Sequence, residues 1–264
     1  MSCKEKIVVR NLTVEYKKGV KALENVNFQV YDGEVITIIG VSGCGKTTLL
    51  NTILMLTKDE ANIYGEIIID GIDILNYKGS NIYQKLKIGY VTQRETLLPW
   101  RSALENVELG CEIRGMPKDE RRKRAKELFK LVGLEGFEHR YPHELSGGMK
   151  QRISIIRSLA YDPDILLMDE PFGALDAHTR MILQRELSEI LMKTKKTTIF
   201  ITHDLSEAII LGNRIILLSK RPGTVKGIFE SNFPFPRDPF KIQSSAEFTT
   251  LYREIFNELS KEAI

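Results

Sequence analysis

The chain has 264 residues, 42% of them hydrophobic and 28% charged, which indicates a folded globular protein and excludes a disordered one. This length suits one large domain, or a core domain with a subdomain. The net charge of +3 at pH 7 gives little reason to expect a nucleic-acid partner, and the basic stretch at 118–130 is interpreted as the solvated face of a helix.

The sequence shows no signal for membrane crossing, export or disulfide formation. No apolar run approaches the length needed to span a bilayer, and the charged residues 4–6 precede only a short apolar run, unlike a signal peptide. We therefore expect a cytoplasmic protein that depends on a partner for any membrane role. Cys3, Cys44 and Cys111 are few, odd in number and widely spaced, which favours reduced thiols and no structural metal site.

The first ninety residues alternate short β-rich runs with turns. Strands are predicted at 26–30, 35–39, 67–69 and 88–92. The turn dipeptides Asp32-Gly33 and Asp70-Gly71 are predicted to join adjacent strands.

Helical spacing replaces this pattern after about residue 95. Ser102 and Glu105 form a capping box that begins a helix ending near residue 114. Further helices are predicted at about 117–133 and from residue 146 to just before Asp162-Pro163. We interpret residues 95–160 as a helical insert.

Strands return at 165–168, 198–202 and 215–218, with an amphipathic helix between the first two. This strand–helix–strand alternation implies a parallel sheet covered by helices, so the predicted fold class is α/β. The chain becomes turn-rich after Pro222 and ends in a predicted helix that is capped at Ser244.

A glycine-rich segment between the predicted strand 35–39 and a helical run fits the phosphate-binding loop pattern. Its glycines let the backbone wrap around phosphate oxygens, and the following helix adds its positive N-terminal end. We expect Lys46 to contact the terminal phosphates and Thr47 to bind Mg²⁺, and we interpret Cys44 as a small loop residue. A turn that binds nothing is disfavoured because eight positions agree, namely Gly40, Val41, Ser42, Gly43, Cys44, Gly45, Lys46 and Thr47.

Two carboxylates, Asp169 and Glu170, follow the buried strand at 165–168. At the C-terminal edge of a parallel sheet such residues meet ligands. Asp169 is expected to face Mg²⁺, usually through water, and Glu170 to polarise the attacking water as a general base. Without the phosphate loop, a strand that simply ends in polar residues would explain the pair equally well.

A second anion-binding pattern, at 145–152, precedes these carboxylates. Ser146, Gly147 and Gly148 stand at a predicted helix N-terminus, where a hydroxyl, two backbone amides and the helix dipole can bind phosphate. A single ATP cannot easily use both phosphate sites of one chain. Two chains arranged head to tail, with two ATP molecules between them, would use both.

The order of these motifs closely resembles that of the ATP-binding-cassette (ABC) transporter ATPases, over about residues 7–230. The resemblance implies an α/β P-loop NTPase (RecA-like) core with an antiparallel β subdomain and an inserted helical subdomain. Residues 1–94 would form the N-terminal part of the ATP-binding core with the β subdomain and phosphate loop, and 95–160 the helical subdomain that ends in the signature helix. Residues 161–230 would complete the core, and 231–264 would form a short tail with one helix.

The resemblance also assigns roles to single residues. Gln93 resembles the glutamine that joins Mg²⁺ and couples to the membrane subunit, and Asp176, in Gly173-Ala174-Leu175-Asp176, resembles the aspartate that communicates across the dimer. His203 resembles the histidine that contacts the γ-phosphate and steadies Glu170. Tyr16 resembles the aromatic residue that stacks on adenine, although packing on the sheet explains it nearly as well.

Together these matches give the expected site. The catalytic residues would be Lys46, Glu170 and His203; the ATP-binding residues Tyr16, Gly40, Val41, Ser42, Gly43, Cys44, Gly45, Lys46, Thr47 and Thr48; the signature that acts in trans Ser146, Gly147, Gly148 and Met149; the residue for dimer communication Asp176; and the Mg²⁺ ligands Thr47, Gln93 and Asp169.

Several features resemble the nitrate/sulfonate/taurine importers in particular. This subgroup shares Met149, where the usual signature has Gln, and has segments like Leu-Pro-Trp-Arg at 98–101, Arg-Pro-Gly at 221–223 and Arg-Asp-Pro at 237–239. We interpret residues 98–101 as a docking surface for a permease. The alternative is ordinary packing, with Trp100 in the core.

The expected function is therefore that of the ATP-binding and ATP-hydrolysing subunit of a membrane ABC importer for a small solute such as nitrate, a sulfonate, taurine or bicarbonate. ATP and Mg²⁺ are the expected cofactors. The expected partners are a second copy of the chain, transmembrane permease subunits and, indirectly, an external solute-binding protein. The expected location is the cytoplasmic face of the membrane.

Two other functions are compatible with parts of the sequence. A soluble ABC-type ATPase that acts on nucleic acid or ribosomes is disfavoured by the mild charge, the single nucleotide domain and the lack of a long coiled-coil insertion or zinc-spaced cysteines. A P-loop metabolic kinase explains Lys46 and Thr47 but leaves Ser146, Asp176 and His203 without a role.

Overall fold

A computed structural model describes residues 4–78, 82–173 and 175–263. Cys3 and Ala174, both named above, lie outside these residues. None of the helices in the described ranges combines the length and the apolar character that crossing a membrane requires.

The N-terminal strands form an antiparallel sheet. Its members are β1 (Glu5–Tyr16), β2 (Val20–Tyr31), β4 (Ala61–Ile69) and β5 (Ile72–Asp73), in the order β2-β1-β4-β5. Asp70-Gly71 joins the paired strands β4 and β5, as predicted. The prediction for Asp32-Gly33 was wrong, because β3 (Val35–Ile39) pairs in a different sheet from β2. Gly33 N donates to Thr197 Oγ1 at 2.9 Å, which directs the turn away from the first sheet.

The central sheet has the order β10-β9-β3-β8-β7-β6. Its strands besides β3 are β6 (Ile88–Val91), β7 (Ile165–Asp169), β8 (Thr197–Ile201), β9 (Arg214–Leu218) and β10 (Val225–Glu230). All neighbours pair in parallel except β10, which is antiparallel to β9. Every residue of β3, β7 and β8 is buried, as expected for parallel strands with both faces covered. The predicted α/β class with a parallel sheet is confirmed.

The helices of the described residues surround this sheet. In chain order they are α1 (Lys46–Ile53), α2 (Ile82–Lys85), α3 (Ala103–Ile113), α4 (Lys118–Leu131), α5 (Gly147–Leu159), α6 (Ala177–Thr194), α7 (Leu205–Leu211), α8 (Pro239–Ile242) and α9 (Ala246–Ala263), with a 3₁₀ turn at Pro142–Glu144. The capping box of α3 is present: Glu105 N donates to Ser102 Oγ at 3.3 Å, and Ser102 N donates to Glu105 Oε2 at 2.8 Å. Helices α3, α4 and α5 pack on one another.

The last helix begins later than the sequence predicts. Ser244 does not cap it, because its hydroxyl donates to Lys241 O. Instead, Ser245 Oγ accepts a hydrogen bond from Phe248 N at 3.1 Å. Phe248 and Ile255 on α9 are buried in the larger apolar core, and α9 packs against α7.

Two apolar cores lie on the two faces of the central sheet. One contains buried side chains of α3 to α7 and α9, and the other joins the sheet to β1, β2, β4 and α1. Alternate residues of β3, β7 and β8 belong to each core. This packing places the C-terminal ends of β3, β7 and β8 side by side, where open α/β sheets bind ligands.

Candidate functional site

The phosphate-binding loop connects the C-terminal end of β3 to α1. Gly40 lies so close to its neighbours that a Cβ would be 2.7 Å from Cys44 Sγ and 2.9 Å from Leu218 O. Gly45 precedes α1 with φ +108°, and a Cβ there would be 2.7 Å from Leu23 Cδ2. Both positions therefore require glycine, for contact and for backbone conformation respectively.

Lys46 is only 6% exposed and folds back over the loop. Its Nζ donates to Gly40 O at 2.8 Å and to Val41 O at 3.2 Å. Thr47 Oγ1 donates to Asp169 Oδ1, which lies at the end of β7, at 3.3 Å. The loop therefore presents an ammonium group at one point, and a hydroxyl paired with a carboxylate at another.

Three sheet-edge residues meet beside this hydroxyl. Glu170 Oε2 lies 2.8 Å from His203 Nδ1, and Gln93 Nε2 donates to the same oxygen at 3.5 Å. Glu170 has φ +45°, a left-handed conformation that is unfavourable for a residue other than glycine and is typical of functional sites. Burial raises the pKa of the neighbouring Asp169. The ends of β6, β7 and β8 thus supply an amide, two carboxylates and an imidazole.

A cleft of about 1220 Å³ runs from these residues to the first sheet, which is ample for a nucleotide. Ten residues expected in the site line it: Tyr16, Ser42, Gly43, Gly45, Lys46, Thr47, Thr48, Gln93, Glu170 and His203. Tyr16 is half-buried; its ring also packs on the core beneath the first sheet, and its hydroxyl lies 3.2 Å from Thr48 Oγ1. Tyr16 therefore packs on the sheet and also lines the cleft, and its contact with adenine stays a prediction.

Gly40, Val41, Cys44 and Asp169 lie behind the cleft and do not line it. Cys44 is buried, and desolvation raises the pKa of its thiol. A protonated, buried thiol is unreactive. The structure thus agrees with Cys44 as a small loop residue.

The signature residues lie outside the cleft of their own chain. Ser146 caps α5, where its Oγ accepts a hydrogen bond from Met149 N at 3.3 Å, and Gly147 follows it on the exposed surface. Asp176 caps α6 by accepting from Thr179 N at 3.0 Å, and these hydrogen bonds lower the pKa of its carboxyl. Both helix ends are exposed and available to another molecule.

Arg221 lines the cleft and was not predicted as a site residue. Its Nε donates to Gly43 O at 3.2 Å. The sequence marks it only as part of an Arg-Pro-Gly segment, and nothing in that pattern indicates a contact with the phosphate loop. Other unpredicted lining residues follow Tyr16 or precede β4: Lys17, Lys18, Val20, Ala22, Asp59 and Glu60. Lys17, Lys18, Val20 and Ala22 could have been predicted as site residues, because they follow Tyr16 in the hairpin between β1 and β2.

Trp100 is 71% exposed, so the alternative that placed it in the core is wrong. His139, His143 and His178 are exposed.

This arrangement of phosphate loop, acidic strand end and cleft defines a P-loop nucleotide-binding protein. A family model described as ABC transporter matches residues 23–173. The aliphatic sulfonates import ATP-binding protein of Bacillus cereus is 42% identical over 92% of this chain and 90% of its own length. The taurine import ATP-binding protein of Rhizobium johnstonii is also 42% identical, over 91% of this chain and 89% of its own.

A solved dimeric ATP-binding cassette, in a post-hydrolysis state with bound ADP and phosphate, is 37% identical. It superimposes with a TM-score of 0.74 and covers 86% of this chain and 100% of its own. The chain belongs to the ABC transporter family and is an ABC-type ATPase.

Proposed function

We propose that this chain is the ATPase subunit of a membrane importer and works as a head-to-tail homodimer. One observation carries the proposal: the cleft holds the phosphate loop and Glu170, while the exposed signature at Ser146 lies outside it. A γ-phosphate in the cleft can meet such a helix N-terminus only from a second chain. The related cassette that was solved as a dimer supports the same arrangement.

Within each site we assign roles from the contacts. Lys46 leaves the loop carbonyls to bind the terminal phosphates, and Tyr16 contacts adenine. Glu170 accepts a proton from the attacking water, and His203, 2.8 Å from it, fixes the orientation of its carboxylate. The signature of the partner closes the site, and Asp176 reaches across the dimer.

Mg²⁺ fits the donor set. Thr47 Oγ1 and Asp169 Oδ1 are a hydroxyl and a carboxylate 3.3 Å apart. Gln93, whose Nε2 donates to Glu170 Oε2, would supply an amide oxygen. Mg²⁺ prefers a few protein oxygens together with phosphate and water. When bound, it would neutralise charge that develops on the phosphates.

The chain would divide by function as the sequence predicts, into core parts 1–94 and 161–230, a helical unit 95–160 and a tail 231–264. Helices α3 to α5 form their own packed group, which supports the second unit. We propose that the exposed Trp100 and Ile113 belong to the surface that meets the permease. The proposed location is the cytoplasmic face of the membrane, below a permease that an external solute-binding protein supplies.

The cargo is a small solute of the nitrate, sulfonate, taurine or bicarbonate type. Relatives of equal identity are named for sulfonates and for taurine, so this subunit does not distinguish them. The solute passes through the permease and need not touch the ATPase. Purification of the complex from membranes should therefore retrieve a pair of integral membrane proteins, whereas retrieval of ribosomes or DNA would favour the nucleic-acid ATPase.

Glu170→Gln tests the dimer. The variant should bind ATP, lose steady-state hydrolysis and accumulate as a closed dimer, measured by size-exclusion chromatography with light scattering. A variant that stays monomeric with saturating Mg-ATP would refute the sandwich.

Mixing two inactive subunits tests the head-to-tail geometry. Ser146→Arg and Lys46→Ala should each be inactive alone, and their mixture should recover one working site per heterodimer. Failure to recover any activity, with heterodimers demonstrated, would contradict independent composite sites.

A further inference from the structure

A partly buried ionic network lies behind the catalytic residues, and the proposed function does not use it. Arg180 projects from the first turn of α6. Its Nη2 donates to Leu175 O at 3.0 Å and its Nη1 donates to Asp204 Oδ2 at 3.3 Å. Its Nε lies 3.7 Å from Glu207 Oε1. One guanidinium therefore joins the segment that precedes α6 to the start of α7.

The other side of the network holds the residues on both sides of His203. Thr202 Oγ1 donates to Glu207 Oε2 at 2.5 Å and accepts from Asp204 N at 2.9 Å. Asp204 also caps α7 with its second carboxylate oxygen. The position of His203 is thus fixed by its two neighbours, both of which belong to the network.

Desolvation makes this network unfavourable in free energy, so a contribution to stability alone does not explain it. Glu207 is 3% exposed, and desolvation raises the pKa of its carboxyl to about 7. Arg180 Nε and Gln184 Oε1 are buried without a hydrogen-bond partner. Apolar residues of similar volume often stabilise a protein as well as such a group or better, so a positional role is the better explanation.

We propose that Arg180 is a positioning residue that links His203 in one ATP site to the Leu175–Asp176 segment, which reaches the other site of the dimer. The inference rests on the proposed head-to-tail function. Arg180 does not line the cleft. A shift of His203 on hydrolysis moves Asp204, and the rigid fork of Arg180 transmits the shift to Leu175.

The chemistry of arginine suits this task. Its planar guanidinium donates hydrogen bonds to Leu175 O and Asp204 Oδ2, and its Nε faces Glu207 Oε1 in an ion pair. A lysine ammonium is a point charge and cannot keep the same three contacts in fixed geometry. Lysine at this position should therefore not restore the link.

The test compares Arg180→Met and Arg180→Lys with the matched control Arg185→Met, an exposed arginine on the same helix. For both Arg180 variants we expect ATP affinity within about twofold of wild type, kcat lowered about tenfold, and a Hill coefficient for ATP that falls to about 1. The control should match wild type in all three. Equal kcat and Hill coefficient in wild type and Arg180→Met, even with a lowered melting temperature, would overturn the proposal.

A double-mutant cycle with Glu207→Gln covers the case in which Arg180→Met fails to fold. If both residues act in one link, Arg180→Lys combined with Glu207→Gln should lower kcat no more than the worse single variant. Additive losses would refute a shared link.

The measurements on wild type distinguish a failure of the proposed dimer from a failure of this inference. Wild type that hydrolyses ATP as a monomer removes the proposed function together with this inference. A wild-type dimer with cooperative hydrolysis that Arg180→Lys leaves unchanged removes the inference alone.

Discussion

Arg237→Met should be the most destabilising single change in the tail. Arg237 is 1% exposed, and its guanidinium donates to five backbone carbonyls and to Ser231 Oγ. The carbonyls belong to Ile209, Ile210, Gly212, Ser231 and Phe233. Methionine keeps the apolar stem of the side chain and removes every donor.

Two opposing free-energy terms set how much stability Arg237→Met loses. Burial lowers the pKa of Arg237 to about 10, so removal of the charge recovers desolvation energy of ~3 kcal/mol. Ile209 O keeps a hydrogen bond from Ser231 Oγ. Each of the other four carbonyls loses its hydrogen bond from the guanidinium at a cost of ~2 kcal/mol. The sum of these costs outweighs the recovered desolvation energy. The expected net loss in the free energy of unfolding is about 5 kcal/mol, a large part of the total for a domain.

Urea denaturation followed by circular dichroism measures this loss. Arg253→Met, an exposed arginine on α9, is the matched control and should change stability by less than about 0.5 kcal/mol. A loss below about 1 kcal/mol for Arg237→Met would show that water or neighbouring donors replace the guanidinium, and the reasoning would fail.

Three further experiments test other parts of the structure. Gly40→Ala should raise the dissociation constant for ATP about tenfold or more, measured by fluorescent-nucleotide titration, because its Cβ would displace Cys44 or Leu218; unchanged affinity would contradict the loop geometry. Cys44 and Cys111 should resist iodoacetamide at neutral pH in the folded protein and react in urea, as followed by peptide mass spectrometry, since burial raises both thiol pKa values. Folding raises the pKa of Glu207 from 4.5 to about 7, so the stabilisation from its protonated form is complete below about pH 4.5 and is lost as the pH rises through 7. Wild type should therefore lose ~3 kcal/mol relative to Glu207→Gln over that range, and parallel curves would refute the assignment.

Local sequence patterns predict the elements that local chemistry decides. The run from β3 through Gly45 to α1, the capping box at Ser102 and the strand that ends at Asp169 all follow from patterns within a few residues. The phosphate loop is recognisable because its glycines follow a fixed spacing within a few residues, although the contacts that require them include distant residues, Leu218 beside Gly40 and Leu23 beside Gly45.

Contacts between distant segments could not be read from the sequence. Arg221 reaches Gly43 across 178 positions, and only the pairing of β9 with β3 places the two side by side. The turn at Asp32-Gly33 looks like a hairpin turn, yet tertiary packing sends β3 into another sheet. Ser244 and Ser245 are equally good helix caps by type, and the preceding helix α8 decides which hydroxyl faces Phe248 N.

Helix α7 shows how the tail and the catalytic site depend on one element. With only seven residues it is too short to be stable alone, and two arginines from other parts of the chain hold its ends. Arg180 reaches the start of α7 through Asp204, whereas Arg237 binds the carbonyls at its end. Because His203 adjoins only the first end, Arg180→Met should lower kcat, and Arg237→Met should lower stability while folded molecules keep their kcat. A parallel fall in kcat in both variants would instead mean that α7 shifts as one body and that the tail acts directly on catalysis.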